Sequence, residues 1–143
     1  MYTLKALGFV FLLILTPYVQ STEQTPTHVN TVERFVAAFN AQDSGAMASL
    51  VADDIEWLSI VNNEISVEAK GKTNLVESMD AYFKSCPTCR SELSEMISTA
   101  SRVSAIELAS WQGKNAASSQ RAISVYEFSG GLITRVYYFA AEK

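Results

Sequence analysis

The feature that most constrains this chain is a change in the period of its apolar residues. Val32, Phe35, Val36 and Phe39 recur at the spacing of one helical face. From Ile55 onward the period drops to two, with Ile55, Trp57, Ser59 and Val61 on one side and Glu56, Leu58 and Ile60 on the other. A helix with one apolar stripe and a strand with one apolar face must each bury that surface against a neighbour, so the chain has to stack helices on a sheet.

The remaining punctuation fills in the order. Asn30, with Glu33 three residues later, resembles a capping box at the start of the first helix. Gln42-Asp43-Ser44-Gly45 breaks it, and Met47, Leu50 and Val51 form a short second helical face that ends at Asp53-Asp54, read as a solvated turn. Asn62-Asn63 turns the first strand into a second one carrying Ile65, Val67 and Ala69, which Gly71 ends. A third helix from about Thr73 shares Leu75, Val76, Met79, Tyr82 and Phe83 on one face; Pro87 disfavours helical geometry at Cys86 and stops it near Ser85. After Arg90 everything alternates: 91–98, 103–112, about 120–129 and 132–141, the last two joined by Gly130-Gly131, a strong hairpin signal. The expected class is α+β, ordered ααββαββββ, with helices covering one face of an antiparallel sheet.

A length of 143 residues and an apolar share of 48% allow one domain with a real core. The N-terminus reads separately. Lys5 is followed by the apolar run 6–15, then Pro17 and Val19-Gln20-Ser21, the pattern of a cleavable export signal over 1–21 with cleavage near Ser21. Pro17 and Gln20 stop the run short of the ~20 apolar residues a membrane anchor needs, so no stable membrane insertion is expected after cleavage. Residues 22–29 read as a loose polar leader and 30–143 as the domain. Loss of Lys5 takes the net charge from -4 to -5, and no basic cluster interleaves with aromatics, which argues against a nucleic-acid partner.

Cys86 and Cys89 form a Cys-x-x-Cys pair where a helix ends rather than begins. The negative end of the helix dipole opposes a thiolate there, against the needs of redox catalysis. Structural zinc wants four ligands, and the chain has two Cys and one His, with His28 in the leader, so no metal site is expected. Two free thiols and a short disulfide remain; an oxidising compartment favours the disulfide, fixing the exit of the third helix.

The segment Val32-Glu33-Arg34-Phe35 through Asp53-Asp54-Ile55-Glu56-Trp57, then Gly71 opening a helix, and the hairpin from Val125 to Val136 resemble the nuclear-transport-factor-2-like superfamily, in its SnoaL-like or ketosteroid-isomerase-like branch. The resemblance spans nearly all of residues 30–141. It implies a cone, a strongly curved sheet wrapped around three helices with a blind apolar pocket, and homodimerisation through the outer sheet face. Such proteins include isomerases, dehydratases, polyketide cyclases and proteins with no catalysis, so fold alone leaves function open. Carried onto this chain, the isomerase's carboxylate base falls at Ser59, its tyrosine at Phe35 and its protonated acid at Ser124, and none of the three groups is retained.

The same register turns Val103, Ala105, Glu107, Ala109 and Trp111 toward the pocket and Ile106 and Leu108 outward. Glu107 is therefore the candidate catalytic group: a carboxylate among small and aromatic neighbours loses hydration and its pKa rises toward general-base range. The plainer alternative is a solvated Glu107, or one paired with Arg121 or Arg135. Phe35, Trp57, Tyr82, Phe83, Trp111, Tyr126 and Tyr138 are the expected pocket aromatics, although aromatics at such spacings also serve as plain core. Ser59, Ser124, Tyr126 and Tyr138 would supply hydroxyls that orient a ligand. Tyr137 and Tyr138 must point to opposite faces. The sequence thus describes an exported protein that binds a compact hydrophobic or aromatic molecule, with cofactor-free proton transfer through Glu107 or, alternatively, plain ligand binding or a dimeric interaction role.

Overall fold

In the computed structural model, which describes residues 27–141, the chain enters helix α1 (His28–Asn40) one turn earlier than the capping pattern suggested. Thr27, not Asn30, is the cap: its hydroxyl accepts the Asn30 amide. His28 and Val29, expected in the leader, belong to the helix because the His28 ring stacks on Phe128 with centroids 4.1 Å apart. The expected signal 1–21 and the leader residues 22–26 lie outside the described residues.

Helix α2 (Ser44–Ala48) is capped by Asp43, whose carboxylate accepts the Ala46 amide at 2.8 Å. It is shorter than its apolar face implied. Val51 leaves it for strand β1 (Val51–Val61), where it pairs with Ile133 while the Leu50 carbonyl accepts the Ile133 amide. Long-range pairing here overrides local pattern, and Asp53-Asp54 lies in the strand rather than in a turn; Asp53 bonds Lys72 at 2.8 Å. Strand β2 (Glu64–Lys70) leads through Gly71 into α3 (Lys72–Ser85). Gly71 sits at φ 84° and ψ 150°, a conformation open essentially to glycine alone. Four strands complete the chain: β3 (Arg90–Ser98), β4 (Arg102–Gln112), β5 (Ala117–Ser129) and β6 (Leu132–Phe139). Gly130 and Gly131, at φ 58° and 81°, make the tight turn that pairs Ser129 with Leu132.

The six strands form one curved, unclosed sheet in the order β2-β1-β6-β5-β4-β3. All pairs are antiparallel except β1 with β6, which is parallel. The antiparallel sheet expected from the sequence is found, with this one pair departing from it: no tight turn joins β1 to β6, so local signals do not set their relative direction. Register shifts interrupt β1 against β2 at Trp57/Leu58, β3 against β4 between Ser94 and Ile97, and β5 against β6 at Glu127/Phe128. Such bulges bend the strands that carry them.

The concave face holds the core. Val32 and Phe35 from α1, Met47 from α2, Leu75 and Met79 from α3, and Val51, Ile55, Val103, Ile133 and Val136 from the sheet pack there. The inward row of β4 runs from this core into open space: Val103 and Ala105 are 0% and 2% exposed, whereas Glu107, Ala109 and Trp111 line a cavity. On the convex face, Lys70, Glu56, Arg135, Glu127 and Arg102 are direct neighbours across five strands and alternate in charge.

Candidate functional site

The cavity, about 260 Å³, lies between the C-terminal halves of α1 and α3 and the far end of the sheet. Phe35, Phe39, Trp57, Tyr82, Trp111, Tyr126 and Tyr138 are the aromatic side chains of its wall. Helical spacing puts Phe35 and Phe39 on one face of α1; strand alternation puts Trp57 and Ser59 inward from β1 and Tyr138 inward from β6, with Tyr137 on the outer face, where it accepts from Arg135.

Glu107 projects into this space from the middle of β4. The Ser91 hydroxyl donates to its Oε1. Ser91 is itself held at both backbone atoms by one side chain, since Asn40 Nδ2 donates to the Ser91 carbonyl and Asn40 Oδ1 accepts the Ser91 amide, each at 2.8 Å. The end of α1 therefore locks β3 in the register that delivers a hydroxyl to the acid. Glu107 forms no ion pair among the described residues. Arg121 pairs with Glu95 at 3.5 Å and Arg135 with Glu56 and Glu127, so the pairing offered as the plainer alternative is not the arrangement found.

The electrostatics follow from that isolation. Burial pushes the Glu107 carboxyl above the usual carboxylate range, and the hydroxyls of Ser91, Ser124 and Tyr126 pull it back only in part. Burial, and then the charge of Glu107, hold the Tyr126 phenol well above its ordinary value. Tyr82 is raised by the same two causes. Tyr138 is raised chiefly by burial, with Gln120 opposing and Glu107 adding to it. All three phenols therefore remain protonated donors at neutral pH.

Two residues expected at the pocket are not on its wall. Phe83 turns away from the cavity because one residue along α3 is a rotation of about 100°: Tyr82 faces the cavity, whereas Phe83 packs edge-on against Phe39 in the core. Ser124 is fully buried beneath the wall, flanked by Ala105 and Tyr138; its Oγ completes no hydrogen bond of good geometry, although it lies near enough to Glu107 and Tyr126 to influence both. Several residues that the sequence reading missed join the site, among them Phe39, Arg90, Ser91 with its positioner Asn40, and Glu68. Residue 68 is the extra residue of β2 where Trp57 pairs with Ala69 and Leu58 with Val67, and it lines the cavity.

Cys86 and Cys89 lie at bonding distance, with sulfurs 2.01 Å apart, directly after α3. Cys89 forms part of the cavity wall and its Sγ accepts the Tyr82 hydroxyl at 3.2 Å. Among the described residues no group of three or more His, Cys, Asp or Glu is placed to hold a metal ion. Among the same residues no helix is long and apolar enough to cross a membrane.

The SnoaL-like domain family matches residues 32–136. A search of curated protein sequences finds no match. Among solved structures, an uncharacterized cystatin fold protein from Novosphingobium aromaticivorans is 22% identical, with a TM-score of 0.68 over 78% of this chain and 97% of the other. An NTF2-like protein of unknown function from Cytophaga hutchinsonii is 15% identical, with a TM-score of 0.65 over 83% and 94%. TerC, co-crystallized with polyporic acid, is 14% identical, with a TM-score of 0.67 over 80% and 91%. These likenesses carry the fold, and the family match covers well over half of the chain. With its three helices laid in an open curved sheet, this protein belongs to the SnoaL-like family and has the NTF2-like cone fold.

Proposed function

We propose that this protein is exported and binds a compact hydrophobic or aromatic molecule in the cavity, with Glu107 as the group that can accept and return a proton. The observation that carries the reading is the position of Glu107: a carboxylate without a cationic partner among the described residues, in a cavity lined largely by aromatic side chains and given a hydroxyl donor by a clamped serine. A volume of about 260 Å³ is below the ~300–1,000 Å³ typical of sites for drug-sized ligands, which restricts the ligand to a small one. TerC, with polyporic acid co-crystallized, is a neighbour of the same fold and fits a ligand-holding role for such a cone.

In a proton transfer, the C–H bond of a bound ligand would break toward Glu107, its electrons moving onto the ligand. The phenols of Tyr126 and Tyr138 are the donors available for negative charge developing on a ligand oxygen. Glu107 would then return the proton elsewhere on the ligand, with no cofactor. Replacing Glu107 by Gln keeps an acceptor for Ser91 and removes the base. If turnover of a small enolisable ligand survives in that variant, or if the Glu107 carboxyl titrates as a free glutamate by carbon-detected NMR, the catalytic part of the proposal fails and plain ligand binding remains.

Export is supported by the charged, apolar and small-residue order of residues 1–21 and by the cysteine pair at bonding distance. N-terminal sequencing of protein from its native compartment should begin near Thr22. Homodimerisation is favoured by the convex face, where Ile60, Phe139, Ile123 and Ile106 form one row across four strands, with Ile123 and Phe139 exposed. A monomer by light scattering at micromolar concentration would refute it.

A further inference from the structure

The charged groups of the cavity wall do not balance. Glu107 enters from β4 and Glu68 from the bulge in β2, where an extra residue lets a second carboxylate face the same space. Among the described residues the one cationic side chain on the wall is Arg90, held at its edge by neutral carbonyls, with Nη1 donating to Pro87 at 3.2 Å and Cys89 at 2.6 Å, so two carboxylates face a single guanidinium. The wall also comes from the last turns of α1 and α3, through Phe39 and Tyr82, so the negative ends of two helix dipoles lie on this side. Among the aromatic side chains of the wall, Phe35 is stationed between Trp57 at 6.0 Å and Tyr126 at 6.1 Å between ring centroids. Ring faces carry the negative part of the aromatic quadrupole and attract cations, most strongly where water is excluded.

We propose that the ligand of this cavity is a compact organic cation, an alkylated ammonium group seated among Trp57, Trp111, Tyr126 and Tyr138 with Glu107 as its counter-ion and Glu68 at the approach. The inference rests on the cavity being the ligand site, as proposed above, but not on Glu107 acting as a base. A neutral apolar ligand would use the rings and leave Glu107 without a partner. An anion would meet two carboxylates and two helix C-termini. A cation uses both features that set this wall apart: the aromatic side chains for its alkyl groups, and the excess of carboxylate, with the enclosed acid for the charge and the second acid for steering toward it.

The test compares choline with dimethylbutanol, its carbon isostere, in which a quaternary carbon replaces the ammonium nitrogen; naphthol serves as a neutral aromatic control. The chain has 2 tryptophans, Trp57 and Trp111, and both are on the wall, so intrinsic fluorescence reports occupancy directly. Choline is expected to bind at least about tenfold more tightly than the isostere. The ratio should collapse toward one in Glu107→Gln and fall by about two- to threefold in Glu68→Gln, an exposed position where the fold does not depend on the side chain. If dimethylbutanol or naphthol binds while choline does not, or if the isostere matches choline in the wild type, the cationic class is wrong and the pocket reading stands. If none of the three perturbs the tryptophans or releases heat on titration, the pocket reading falls with it.

Discussion

Glu107 can be tested through stability without knowing any ligand. A carboxyl whose pKa is raised by burial binds its proton more tightly in the folded chain than in the unfolded one, so between the ordinary carboxylate value of 4.5 and the raised folded value the native state holds more protons. Stability therefore falls as pH rises through that window, and the full cost is present above the folded pKa. Each unit of upward displacement costs about 1.4 kcal/mol at neutral pH. Glu107→Gln removes this cost, keeps an acceptor for the Ser91 hydroxyl, and gives up about 1 kcal/mol or less of charge-assisted bonding. Relative to the variant, the wild type should lose stability as pH rises from about 4 toward neutrality, by about 1.4 kcal/mol for each unit by which burial has displaced the carboxyl upward. Tyr82, Tyr126 and Tyr138, also displaced upward, titrate above 10 and do not contribute in this range. Paired urea titrations of the two proteins at several pH values measure the difference. A difference that stays flat with pH, or one that moves in favour of the wild type as pH rises, would refute the isolation of this carboxylate.

Other substitutions probe the supports of the site. Asn40→Ala strips both backbone partners from Ser91 and should cost about 1–3 kcal/mol in urea unfolding, with the Glu107 carboxyl titrating higher still as its serine donor loosens. Gly71→Ala meets no atom closer than 3.7 Å, so its expected cost of about 1–3 kcal/mol is backbone strain alone; an unchanged midpoint would contradict the dihedrals. Removing the disulfide with Cys86→Ser and Cys89→Ser together should destabilise by roughly 2 kcal/mol, as expected for so short a loop, and abolish the effect of reductant on the midpoint. The same double variant removes the sulfur that accepts from Tyr82, so the ligand affinity of the cavity should change alongside stability.

Much of this architecture could be read along the chain because it depends on neighbours a few residues apart. The stripe from Val32 to Phe39 and the face from Leu75 to Phe83 identified their helices, and Gly130-Gly131 announced its hairpin. Alternation along β4 was enough to turn Glu107 and Trp111 to one side and Ile106 and Leu108 to the other. The errors arose where distant segments competed with local pattern. Val51 has a helical spacing from Met47, yet pairing with Ile133 draws it into β1. Thr27 and His28 look like a polar leader until Phe128, from β5, offers a ring to stack on. Phe83 and Tyr82 are both aromatic and adjacent, and the packing of α3 against Phe39 selects which of them meets the cavity.

The residues that give the acid its surroundings could not be read in advance for the same reason. Ser91 precedes Glu107 by sixteen positions and Asn40 precedes Ser91 by fifty-one, so nothing local joins the three. Glu68 lines the cavity through a register shift that alternation alone conceals. Sequence by itself determined the element order, the inward row of β4 and the presence of an acid on it, because periodicity is a property of one strand or helix at a time. Tertiary structure decided the parallel joining of β1 to β6, the serine clamped against the acid, and the empty volume in front of it. Those depend on how separate faces meet, and the free energy of that meeting is shared among residues that no short window contains.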